Sequence, residues 1–290
     1  MPGRSSWRAT LLVALAACGF GSISTLTVIA QRHGLALVPA MALRYASAAP
    51  FLAVVAGLPA LRAASARRMA ALVVLGGLGQ VAVSGISLSA LAWLDVATLG
   101  FLFYTFPAWV TLISAVRGHE HVDARRLTAL VLALAGIALI VGRPGALPAA
   151  GLVRALGAAV IYAAYIPLLH WMRGPLTAAA ASAYVIAGAA AGFLLAAVVR
   201  GELRAPGDAA AWGAIAMLAL FCTVMTFIAF LNGLAVLGPV RTAIISTIEP
   251  FWTSLLGAVA LGQGVGLSTL GGGGLIAAAV LLLQRRGASR

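Results

Sequence analysis

The sequence predicts an all-α integral membrane protein, with ten transmembrane helices arranged as two inverted five-helix repeats. Composition is the first observation behind this: 63% of 290 residues are hydrophobic, about 183 positions, and only 9% are charged, against ~25% in an ordinary soluble domain. A water-soluble globule is excluded. Segment length is the second, because ten spans of ~20 apolar residues need roughly 200 and leave ~90 for ends and loops. The apolar runs are too long, and alternate too little, for a transmembrane barrel. Self-similarity between the two halves is the third.

Ten apolar segments follow one another. The first, 9–30, stops at Gln31-Arg32-His33-Gly34, and Pro39 lies near the start of the second, 37–57. Arg62, Arg67 and Arg68 separate that segment from the third, 69–91. Asp95 is placed to cap the fourth, 96–116, its carboxylate accepting an orphan backbone N–H. A polar turn with Arg117, His119, Glu120, His121 and Asp123 leads to the fifth, 125–142. The sixth, seventh and eighth are 150–171, 177–199 and 209–233. Gly238-Pro239 supplies the cap and first-turn pair that closes the eighth and opens the ninth, 239–261. The tenth, 266–284, precedes a basic tail, 285–290.

A net charge of +13 would suggest nucleic acid in a soluble protein, but every basic residue is Arg and most sit between apolar runs. Topology accounts for them. With the N-terminus in the cytoplasm, Arg4, Arg8, Arg62, Arg67, Arg68, Arg117, Arg125, Arg126, Arg173, Arg241, Arg285, Arg286 and Arg290 fall inside. Arg32, Arg143, Arg154, Arg200 and Arg204 fall outside, and Arg44 lies within a span. The positive-inside bias therefore places both termini in the cytoplasm and the protein in the cytoplasmic membrane. Arg4 and Arg8 before Leu15-Ala16-Ala17-Cys18-Gly19 also fit a secretory or lipoprotein signal with Cys18 acylated. The run continues to Ala30, which is span length, so the first-helix reading is preferred. Cys18 and Cys222 lie far apart inside apolar segments and read as small core residues.

A slide of 143 positions aligns Leu91-Ala92-Xaa-Leu94 with Leu234-Ala235-Xaa-Leu237, Pro107-Xaa-Trp109 with Pro250-Xaa-Trp252, and Ala115-Val116 with Ala258-Val259. Ala and Leu matches are cheap in this composition; the Pro-Xaa-Trp match is not. Two halves follow, 9–143 and 149–284. Because five is odd, the second half runs through the membrane upside down relative to the first, the plan of many secondary transporters.

The layout resembles the ten-helix drug/metabolite transporter superfamily of the EamA type. The residues that carry the likeness are Leu43-Arg44-Tyr45 in the second segment, Tyr104-Thr105-Phe106-Pro107 in the fourth, Gly118-His119-Glu120 after it, and Glu249-Pro250 in the ninth. The resemblance implies a mover of small metabolites, commonly an exporter of amino acids or related solutes. One departure is visible: where such chains usually carry Leu-Gly-Glu after the ninth helix, this one has Leu261-Gly262-Gln263.

Glu249 is the sharpest candidate. Counted from Pro239 at ~1.5 Å per residue it lies ~15 Å into its helix, near mid-bilayer, where an ionised carboxylate costs several kcal/mol unless paired or hydrated. It reads as a proton-coupling or substrate-amine site, or else as a structural brace. Pro107 and Pro250 are expected at matching mid-helix depth, each freeing a carbonyl and making a kink that gates or merely packs. Arg44, ~7.5 Å inside its helix, reads as an anchor for a substrate carboxylate, a snorkelling residue or a helix brace. Tyr104, Trp109, Tyr162, Tyr165 and Trp252 are candidate cavity linings whose polar tips need partners. Ser22, Ser24, Thr25 and Thr27, with Ser84, Ser87 and Ser89, suit either helix contacts or a hydrophilic lining.

The glycine runs Gly188-Xaa-Xaa-Xaa-Gly192 and Gly76-Gly77-Leu78-Gly79 read as close-packing stretches, not phosphate loops, because neither follows a strand or carries the required Lys. His119 and His121 beside two acids make a weak metal candidate, since flanking Arg repels a cation. No cofactor, metal or catalytic residue is expected, and no intramembrane enzyme signature is present. The expected partners are a small-molecule substrate and the bilayer, with a homodimer left open and nucleic acid not expected. A metabolite or amino-acid exporter is the leading reading. A multidrug or cation antiporter is the alternative, weakened because the first helix carries no acid, and a non-transporting scaffold is the third.

Overall fold

The computed structural model describes residues 2–116, 124–141, 147–246 and 248–284, and the described residues are helical with no strands. The cluster from Arg117 to Asp123 and the tail 285–290 lie outside them. The first half comprises α1 (Pro2–Arg32), α2 (Leu37–Ala56), a short α3 (Leu58–Arg62), α4 (Ala66–Val74), α5 (Val81–Ser89), α6 (Val96–Phe103), α7 (Phe106–Val116) and α8 (Ala124–Val141). The second comprises α9 (Ala149–Arg173), α10 (Ala178–Val199), α11 (Ala209–Ala219), α12 (Thr226–Ile245), α13 (Ile248–Leu261) and α14 (Leu267–Gln284). Among the described residues, six stretches are long and apolar enough to cross a membrane: Trp7–Arg32, Leu37–Ala56, Ala66–Ala92, Ala149–Arg173, Ala178–Val199 and Ala209–Gly238. Val54, Leu78, Val153, Val199, Val259 and Leu267 project apolar side chains outward. Such a surface suits lipid and not water. The chain is a multi-pass helical membrane protein.

Helix ends follow local chemistry. Asp95 caps α6, its carboxylate accepting the Thr98 N–H at 2.6 Å, while Thr177 and Asp208 do the same for α10 and α11. Gly34, Gly57, Gly174 and Gly238 adopt positive φ where chains turn. At Gly238 (φ 75°) the helical run of α12 is interrupted, so Gly238-Pro239 closes one helix and opens the next as the sequence implies. Two further segments, Leu75–Gln80 between α4 and α5 and Leu220–Met225 between α11 and α12, are π-helical. Each widens one turn inside an otherwise continuous span.

The glycine runs turn out to be one another's partners. A Cβ on Gly76 would overlap the Val185 carbonyl, one on Gly188 would overlap the Val73 carbonyl, and one on Gly192 would sit 2.9 Å from the Gly77 oxygen. The π-helical segment 75–80 and α10 therefore touch backbone to backbone, the contact that small residues permit between helices in lipid. Most of the main core is built around α2, α9, α10, α11 and α12, and includes the stacked pair Tyr45 and Phe193.

At one end of the bundle, His33 Nδ1 meets Asp208 Oδ2 at 2.6 Å, tying the end of α1 to the start of α11. The Asp208 carboxyl is held below its usual range because it accepts the Ala211 N–H and the His33 contact. A depressed carboxylate pKa contributes stability that is present above the unfolded-state value and lost as pH falls through the folded one. Thermal melts on acidification from neutral to about pH 3 should accordingly bring wild type down toward Asp208→Asn, with the gap closing below the ordinary carboxylate range. A gap that stays constant with pH would remove Asp208 from the account.

Candidate functional site

The fourth apolar run is broken internally: α6 ends at Phe103 and α7 starts at Phe106, leaving Tyr104 and Thr105 between them. A second break follows α12 at Ser246, with Glu249 in the first turn of α13, its N–H donating to the Ser246 carbonyl at 2.9 Å. Two expectations need correcting. Pro107 and Pro250 are not mid-helix kinks; they are the second and third residues of α7 and α13. In a first turn the missing N–H has no partner to lose, which is why proline is tolerated there. Glu249 likewise stands at a helix N-terminus instead of deep within a continuous helix.

The two breaks meet. The Tyr104 hydroxyl donates to Glu249 Oε2 at 2.6 Å, so the α6–α7 interruption and the start of α13 are joined by one charge-assisted hydrogen bond. Glu249 faces a central cavity with about 90 Å³ of interior, space for several waters at ~10–15 Å³ each or for a small solute. Phe20, Phe103, Phe227, Phe230, Tyr162 and Tyr165 form its aromatic walls, while Ser24, Gln80, Ser84, Ser87 and Thr253 supply the polar positions. Phe103, Phe106 and Tyr162 pack ring against ring behind Tyr104. The Tyr165 hydroxyl is buried with no hydrogen-bond partner.

Four of the residues singled out from sequence thus come together: Glu249 and Tyr104 directly, with Tyr162 and Tyr165 across the cavity. Three do not. Arg44 is 1% exposed and absent from the lining. Its Nε donates to Thr223 Oγ1 at 2.8 Å, its Nη2 reaches the Cys222 carbonyl at 3.5 Å, and its guanidinium lies 4.7 Å from the Tyr45 ring centre. It braces α2 against the π-helical segment 220–225. Trp109 donates to Thr105 Oγ1 at 3.2 Å and Trp252 to Ser22 Oγ at 3.0 Å. Both are packing residues with satisfied N–H groups. Gln80 and Thr253 are the polar lining residues that sequence reasoning passed over, along with the Phe walls. A lone side-chain amide inside the apolar run 69–91 was the available signal for Gln80, because polar groups at membrane depth are expensive.

The altered acid position has a role too. Gln263 Oε1 accepts the Val96 N–H at 3.3 Å, serving the N-terminus of α6 beside Asp95. A neutral amide caps without setting a second negative charge next to that carboxylate. Cys18 and Cys222 are free thiols. A wider cavity of about 620 Å³ shares Leu88 with the central one and is lined by Arg154 and Arg200, Arg154 lying 4.3 Å from the Trp93 ring centre.

Residues 149–285 match the EamA-like transporter family. The match falls within the second half of the chain. The EamA-like family is one of membrane transporters of small molecules within the drug/metabolite transporter superfamily, and it is not an enzyme family. Sixteen chains of solved structures also match. One of them, a crystal structure described only as that of a protein, superposes with a TM-score of 0.71 at 18% identity, covering 95% of this chain and 96% of that one. Likeness at that identity speaks to the fold alone. Among curated proteins none matches the chain.

The Tyr104–Glu249 bond gives the site a direct check. Tyr104→Phe keeps the ring packing and removes the only side-chain donor on Glu249 among the described residues. A hydrogen bond to a charged group is worth ~1.5–3 kcal/mol, so transport should slow about tenfold or more, with its pH profile displaced and the melting temperature little changed. An unchanged rate and profile would make the contact simple packing.

Proposed function

We propose that the chain is a secondary transporter that exports small metabolites across the cytoplasmic membrane by alternating access, coupled to protons through Glu249. The observation that carries this reading is a part-buried carboxylate facing an aromatic-lined cavity and tied by hydrogen bond to the opposite half of the chain. Ten spans in two inverted halves, 9–143 and 149–284, with both termini inside, complete the proposal. Its support is sixfold plus fourfold. Four shorter apolar stretches, Val96–Val110, Leu127–Gly136, Ile248–Leu261 and Leu267–Ala279, accompany the six long ones. The π-helical segments begin 145 residues apart, at Leu75 and Leu220, and the two helix breaks fall close to the 143-residue offset of the sequence repeat.

Alternating access needs elements that change angle without unfolding. Interrupted helices at the cavity provide them, because the backbone there is already free of regular helical bonds and faces protein or a cavity instead of lipid. A cation antiporter is the second reading, favoured by Glu249 as the cavity's charged group.

The test is flux. Purified protein in vesicles with an imposed pH gradient should show counterflow of at least one solute from a metabolite, amino-acid and amine panel, with proton movement of opposite sense. No solute or proton movement under any gradient would end the transporter reading.

A further inference from the structure

The polar inventory of the central cavity is lopsided. Among the described residues its lining contains one carboxylate, Glu249, and no Arg, Lys or His. The neutral polar groups have largely committed their protons elsewhere. Ser87 donates to the Val83 carbonyl at 2.7 Å and Thr253 to the Gly21 carbonyl at 2.9 Å. Gln80 donates from Nε2 to the Tyr45 hydroxyl at 3.1 Å and to Ser84 Oγ at 3.0 Å. These three groups therefore present lone pairs to whatever enters, and the Tyr165 hydroxyl is a neutral donor left without a partner. Glu249 has Oε2 engaged by Tyr104 and leaves Oε1 to accept. The cations that could have served an anion stand apart: Arg44 is locked behind the wall on Thr223, and Arg154 and Arg200 line the neighbouring cavity.

An α-amino acid brings both an ammonium and a carboxylate into such a space. The ammonium finds Glu249, acceptor oxygens and aromatic faces, which attract cations. The carboxylate finds no cation, only lone pairs, rings and neutral hydroxyl donors such as Tyr165, so most of its desolvation penalty stays uncompensated. We propose that this cavity selects apolar primary amines over the α-amino acids of the same side chain, with Glu249 receiving the ammonium and the aromatic walls the apolar body. This rests on the transporter reading but narrows it from metabolites at large to amines.

The experiment is a competition series on the purified full-length protein in detergent, with radiolabelled phenethylamine as probe. Phenylalaninamide, phenylalanine and phenylacetate are the competitors, with parallel flux of each in vesicles corrected against protein-free vesicles. Phenethylamine and phenylalaninamide should bind, phenylalanine should be weaker by ~10–100-fold, and phenylacetate should not compete. Glu249→Gln should flatten the series. Phenylalanine binding as well as phenethylamine, an unflattened series in Glu249→Gln, or no binding by any of the four would overturn the proposal. The wild-type series stands without the variant if Glu249→Gln fails to fold. Flux of amino acids without amine binding would sink the amine class and leave the transporter reading intact. Amine binding without flux of any solute would do the reverse.

Discussion

Vesicles carrying Glu249→Gln should lose exchange driven by a pH gradient, while the protein still folds and still admits solute to its cavity. Glutamine matches glutamate in size and can still accept the Tyr104 proton through its own oxygen, so the α6–α7 break and α13 stay joined. What disappears is the charge and the ability to exchange a proton. For an amine solute the loss of a charge-assisted pair is worth ~1.5–3 kcal/mol, roughly 10–100-fold in apparent affinity. For coupling the loss is complete, because no other acid lines the cavity among the described residues. Paired measurements separate these effects: solute-for-solute counterflow reads affinity, and gradient-driven uptake reads coupling. If the variant transports normally with unchanged pH dependence, Glu249 only braces α13 against Tyr104.

The largest effect on folding should come from Gly76→Val. Its Cβ would overlap the Val185 carbonyl, and Gly188 makes the reciprocal approach to Val73. Side-chain overpacking typically costs ~1–3 kcal/mol because rotamers can move aside. Here both surfaces are backbone, so α10 and the segment 75–80 must separate along their whole crossing. At ~2–4 °C per kcal/mol, a fall of roughly 5–10 °C in melting temperature is expected, with loss of monodisperse protein on detergent extraction. Gly213→Ala is the control, since nothing lies within 4 Å of its Cβ position. Equal melting of the two variants would mean that this crossing is looser than its geometry implies.

Much of this architecture was legible in the sequence, for reasons that differ by element. The second apolar segment was bounded at 37–57 and folds as Leu37–Ala56, because Gly34 and Gly57 punctuate it and the helix runs on through Pro50. Asp95 and Gly238-Pro239 acted as local chemistry requires. The interruption at Tyr104 and Thr105 was read as a kink and not as a break, because Pro107 just after it marks either arrangement equally. The π-helical segment 220–225 carries no compositional mark, and the glycine run in 75–80 marked close packing and not a widened turn. Short α3 was lost among loop residues between Gly57 and Arg67.

The candidate site divides the same way. Glu249 was readable because a single acid in an apolar run has few harmless explanations. Arg44 looked equivalent, yet its direction depends on how α2 packs on residues 220–225, which no pattern along one helix reveals. Trp252 and Trp109 were chosen for their type, and their N–H groups proved to be spent on Ser22 and Thr105.

A cavity holding one carboxylate carries a single negative charge, and that sets its electrical behaviour. If the site takes one monovalent cation outward and one proton inward, the loaded carboxylate is neutral on both journeys and no net charge crosses the bilayer. The membrane voltage, worth about 2.3 kcal/mol per elementary charge for each ~100 mV, would then neither drive nor oppose the cycle. Clamping the potential should leave such exchange unaltered, and only the difference in proton concentration would set how far a solute is concentrated.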